Sequence, residues 1–122
     1  MFNYLLLSTV LTLLFTVIWG FIFWIKPPRK INNTYGYRTT MSKKNQDTWN
    51  YAHRFYGKRS FICGAIIFIL AIFIIFTYKN TLIFNIVGYI IIVLQIAIPF
   101  IIIFLTEQTL RKKFTKTRQR IL

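Results

Sequence analysis

A chain of 122 residues that is 56% hydrophobic and yet carries a formal charge of +14 is not an ordinary water-soluble domain. Its apolar residues form long uninterrupted blocks with the charges almost wholly outside them, as a bilayer demands of a chain that crosses it. The expected fold is therefore all-α and integral to the membrane, a single membrane domain over residues 1–122.

Residues 3–25 carry no charge and, at 1.5 Å per residue, reach roughly 35 Å, enough for a first transmembrane helix with some tilt. The stretch lacks the basic start and small-residue cleavage site of a signal peptide. Trp19 and Trp24 suit an interfacial belt, and Lys26, Arg29 and Lys30 mark the water side. Ser8, Thr12, Thr16 and Gly20 recur every fourth residue. Such a row either admits a closely packed second helix or bonds to its own carbonyls.

Pro27 and Pro28 end the helix and open a polar segment, residues 26–60. Within it Tyr35-Gly36-Tyr37-Arg38-Thr39 reads as a turn around a glycine. Ser42 is the expected N-cap of a helix over about residues 43–56, closed by Gly57. Asn45, Trp49, Ala52, His53 and Tyr56 share one face of it, while Lys43, Lys44 and Arg54 belong to the others. A helix with an aromatic face and a cationic remainder is expected to lie along the membrane interface.

Residues 61–78 form a second apolar run, short for a span. After the polar break Lys79-Asn80, residues 81–105 form a third, so the last two runs should make an antiparallel hairpin. Asn85, Gly88, Tyr89, Gln95 and Pro99 fall near one face of the third helix, which should look into the bundle because amides facing lipid are costly. Pro99 is expected to kink it. The tail, residues 106–122, holds Glu107, Arg111, Lys112, Lys113, Lys116, Arg118 and Arg120, with Phe114 and Ile121 interspersed. It reads either as a short basic surface helix or as a solvated end.

Of the sixteen Lys and Arg, nine lie in the polar segment, six in the tail and one at Lys79. The positive-inside rule then puts the polar segment and the C-terminus in the cytoplasm and the N-terminus outside. Basic residues flanking apolar blocks point to anionic membrane lipids as partners and not to direct nucleic-acid binding.

Catalysis has little to work with. The chain has two carboxylates, Asp47 and Glu107, one histidine and one cysteine, and Asp47 and His53 are six residues apart on different helix faces. No metal-ligand spacing, phosphate loop or cofactor motif is present, and Cys63 reads as a small packing residue. Arg38 is the stronger chemical candidate. Its guanidinium either grips a phosphate or carboxylate, helped by Asn32, Tyr35, Tyr37 and Thr39, or serves a headgroup or helix end.

Pro28, Ile31, Asn32, Tyr35, Gly36, Tyr37, Arg38 and Thr39, then Ser42, Lys44, Asn45, Trp49, Ala52, Gly57 and Lys58, form a pattern that resembles the SdpI family of bacterial membrane immunity proteins. The resemblance implies three spanning helices and protection of a bacterium against a secreted, membrane-active peptide toxin. It also implies signalling through a transcriptional repressor held at the membrane. The candidate binding residues of the motif are Asn32, Tyr35, Gly36, Tyr37, Arg38, Thr39, Asn45 and Trp49, with His53 added as a candidate of this chain, since it stands where the pattern leads one to expect asparagine and is not carried over as a family site. Better-known members are also longer. Two other readings stay open: handling of an anionic lipid or polyprenyl-phosphate carrier at the cytoplasmic face, and tethering of a regulator by the basic tail. The helices can serve as a monomer or a homo-oligomer.

Overall fold

The computed structural model describes residues 1–79 and 81–121, with side chains described as far as Phe114. Expectations for Asn80 and for the side chains of Lys116, Arg118, Arg120 and Ile121 lie outside the described residues. Among the described residues three helices are long and apolar enough to cross a membrane: α1 (Phe2–Ile25), α2 (Gln46–Tyr78) and α3 (Leu82–Ile121), the last over Leu82–Phe114. The fold is all-helical and fits a multi-pass membrane protein. Leu7, Phe15, Ile69, Phe73, Val93 and Phe104 are exposed around its circumference, which suits hydrocarbon and not water.

α1 is α-helical at both ends and π-helical over Leu13–Ile18. Inside that wide stretch the Thr16 carbonyl accepts a hydrogen bond from Ser60 Oγ at 2.9 Å. Small residues make this contact possible. A Cβ on Gly57 would come within 2.5 Å of the Trp24 nitrogen and 2.6 Å of the Gly20 carbonyl oxygen, and one on Gly20 within 2.8 Å of the Phe61 nitrogen. The four-residue row is thus a packing seam against α2. It buries Thr12, Thr16 and Gly20 but only half-buries Ser8, while Thr9, off that row, is fully buried.

The separate interfacial helix over 43–56 is not found. Gly57 does not close a helix; it sits inside α2, which runs unbroken from Gln46 into the apolar stretch. The glycine is required by the approach of α1, and Lys58, Arg59 and Ser60 after it favour or tolerate helix. Nor is Ser42 the N-cap. Asn45 is, in a reciprocal capping box: Asn45 Oδ1 accepts the Thr48 N–H at 2.9 Å and Thr48 Oγ1 accepts the Asn45 N–H at 3.1 Å.

Thr81 Oγ1 accepts the Phe84 N–H at 3.1 Å at the start of α3, and Ile75 near the end of α2 packs with Phe84 near the start of α3, so the two helices pair as an antiparallel hairpin. The buried side of α3 runs through Phe84, Gly88, Ile91, Gln95, Ile102, Thr106 and Leu110. Asn85 and Tyr89 are exposed, against expectation. Each follows a buried residue by one position, about 100° around the helix, and so turns away. Gly88 is packed by the Met1 side chain, and the helix passes through Pro99 without ending. Near the Lys79 end Leu5, Ile67, Ala71, Ile75, Phe84 and Ile91 form one core; at the opposite end Tyr37, Ala52 and Leu110 form another.

Candidate functional site

The second core holds the motif loop. Trp49 and His53, one turn apart on α2, are each 0% exposed, with ring centroids 4.3 Å apart. The Trp49 indole N–H donates to the Pro28 carbonyl at 2.7 Å, pinning the start of the loop. His53 Nε2 accepts the Tyr37 N–H at 2.9 Å. The ring proton therefore sits on Nδ1, which donates to the Trp49 carbonyl at 2.8 Å. Both nitrogens of this neutral imidazole are committed to backbone, which leaves neither to act as a general base.

Gly36 allows that geometry. Its φ is +115°, a region side chains rarely adopt, and a Cβ there would lie 2.7 Å from His53 Nε2. Tyr37 then turns its ring inward, 5.0 Å from that of Tyr56, and its hydroxyl donates to Glu107 Oε1 on α3 at 2.7 Å. Burial, and then the Glu107 carboxylate, push the Tyr37 hydroxyl far above its ordinary pKa, so it remains a donor at any physiological pH. Ser42, fully buried, donates to the Tyr37 carbonyl and accepts the Thr39 N–H, both at 2.9 Å. Loop, α2 and α3 are thereby clasped through one tyrosine.

Of the motif residues marked by sequence, Gly36, Tyr37, Thr39, Trp49 and His53 come together in this knot. Asn32 is a local turn residue, its Oδ1 accepting the Thr34 and Tyr35 N–H groups at 2.9 Å each. Asn45 is the helix cap. Tyr35 is 48% exposed, and Arg38, also exposed, donates to the Asn33 carbonyl. Lys43 Nζ reaches Asn33 Oδ1 at 3.4 Å, so two cations meet on the outer side of the knot. Among the described residues no group of three His, Cys, Asp or Glu side chains could hold a metal ion.

Sequence reasoning missed Glu107, Ser42 as a buried bridge, and Thr48. Asn45-x-x-Thr48 carried a capping signal; the Tyr37–Glu107 pair, 70 positions apart, carried none. A double-mutant cycle of Tyr37→Phe and Glu107→Ala should give a coupling of about 1–2 kcal/mol in detergent unfolding. Additive losses would show that the clasp contributes nothing.

The sequence is similar to the uncharacterized protein YfhL of Bacillus subtilis (strain 168), 37% identical over 51 residues. The matched stretch covers 42% of this chain and 46% of YfhL, so the chain spans about half the length of this curated relative. No solved structure matches the chain. Residues 29–106, which take in nearly all of the motif loop, all of α2 and α3 as far as Thr106, match the SdpI/YfhL protein family. By that match the chain belongs to the SdpI/YfhL protein family.

Proposed function

We propose that this is a non-enzymatic immunity protein of the bacterial cytoplasmic membrane. It protects the cell against a secreted, membrane-active peptide toxin by binding the toxin or blocking its action in the bilayer. The observation that carries the reading is the family match over residues 29–106, which includes every residue of the knot except Pro28 and Glu107. The committed His53 nitrogens support a binding role over a catalytic one. The charge distribution supports a topology with the motif loop and C-terminus in the cytoplasm and the N-terminus outside.

Expression in a toxin-sensitive strain should raise the tolerated dose. Arg38→Ala, on the outer side of the knot, should reduce that protection about tenfold at unchanged protein level if its charge-assisted contacts recognise the toxin. No protection by the intact protein would overturn the reading. A second reading, handling of an anionic lipid or polyprenyl phosphate, is favoured by the meeting of Arg38 and Lys43 at Asn33. Native mass spectrometry of the solubilised protein would show such a lipid retained by the intact chain and lost in Arg38→Ala.

A further inference from the structure

The inside of the membrane domain holds a second polar locus, away from the motif loop. Gln95 on α3 is 6% exposed, and its Nε2 donates to Thr9 Oγ1 on α1 at 3.1 Å. Its Oε1 is, among the described residues, the buried side-chain polar atom with no hydrogen-bond partner. Leaving such an acceptor unpaired costs about 1–3 kcal/mol. One turn on, Pro99 has no N–H to offer the Gln95 carbonyl, so two acceptors of one residue lack their usual donors. Across from them α1 is in its π-helical stretch, a distortion that frequently marks functional sites.

These features border a cleft of about 220 Å³ between α1 and α3, lined by Ser8, Thr12, Thr16, Gln95 and Pro99. Leu11 and Phe15 on one side and Ile96 and Phe100 on the other complete it, and all four are exposed. The Ser8 and Thr12 hydroxyl protons are already given to the Leu5 and Ser8 carbonyls, at 3.0 and 2.9 Å, so these oxygens are left to accept. Gln95 stands about 20 Å along α3 from Leu82 and about 15 Å from Leu105, near the middle of an apolar stretch long enough to cross a hydrocarbon layer about 30 Å thick. A ligand here must reside in the bilayer and bring a hydrogen-bond donor. Acyl chains carry none, whereas a membrane-inserted helix with an amide or hydroxyl side chain does.

We propose that the α1–α3 cleft at Gln95 is an intramembrane docking site for a peptide helix that presents a hydrogen-bond donor side chain. The helix enters by parting α1 from α3, the least extensively packed pair, which uncovers Oε1. The proposal rests on the immunity reading for the identity of the peptide as a toxin, and on the cleft itself for its chemistry.

The test uses the full chain in phosphatidylcholine vesicles and two labelled probes, a leucine-alanine transmembrane peptide with one central asparagine and the same peptide with leucine there. Energy transfer is read at a peptide-to-lipid ratio at which the peptide alone gives none. The asparagine peptide should associate about three- to thirty-fold more tightly. Gln95→Met, which keeps the volume, and Leu11→Trp, which closes the cleft but spares Gln95, should each erase that preference. Thermal unfolding identifies a variant that has failed to fold, in which case the other decides. Equal association of both peptides with the unaltered protein overturns the proposal, as does a preference that survives both variants. Transfer between two labelled copies that Gln95→Met abolishes, with no peptide preference, makes the cleft a self-association surface and also overturns it. Protection of cells without probe preference sinks the cleft alone; probe preference without protection sinks the immunity reading alone.

Discussion

Trp49→Ala should lower stability by about 3–5 kcal/mol, read from thermal or detergent-induced unfolding, the range for emptying a buried aromatic site. The indole is 0% exposed, lies tilted against the His53 ring and holds the Pro28 carbonyl. Its removal therefore leaves a void, an unpaired buried carbonyl and an unsupported imidazole together. Trp49→Phe separates these contributions: it keeps most of the volume and should cost about 1–3 kcal/mol for the lost bond. A loss below about 1 kcal/mol for the alanine variant would show that the loop does not depend on this side chain.

Gly57→Ala should be nearly as damaging, at about 3 kcal/mol, the upper part of the range for overpacking. An exposed mid-helix glycine would show the opposite sign, since alanine is the better helix former by about 1 kcal/mol. Here the added carbon meets the Trp24 nitrogen and the Gly20 carbonyl oxygen at 2.5 and 2.6 Å. Both are backbone atoms of α1, so relief requires the two helices to move apart and strains the Ser60–Thr16 bond. Stabilisation by alanine would mean that α1 and α2 do not cross at this point.

The three long apolar helices were legible because fitness to cross hydrocarbon leaves a simple mark, uncharged runs of sufficient length. The seam on α1 was legible too, in the spacing of Thr12, Thr16 and Gly20. Gly57 misled because a glycine after an aromatic face has the form of a helix end, and its real cause, the backbone of α1, lies 37 positions away. Asn85 and Tyr89 misled because a helical face drawn through five residues is wider than the strip a neighbouring helix covers. Glu107 could not have been found, since nothing local distinguishes an acid beside a basic tail from one that binds a loop tyrosine. His53 in place of the expected asparagine finds a physical reason in the knot. A neutral imidazole and a carboxamide each offer a donor and an acceptor, and those are the two functions His53 performs.

α3 carries Gln95 and Glu107 on one uninterrupted helix. Phe114 lies about 28 Å beyond Gln95 along it, so a rod of this kind acts as a lever. A tilt of about 10° imposed at Gln95 would displace Phe114 by about 5 Å, carrying Glu107 and Leu110 partway. Prying apart α1 and α3 at Gln95 would therefore tug on the Tyr37 hydroxyl at the far end of the bundle.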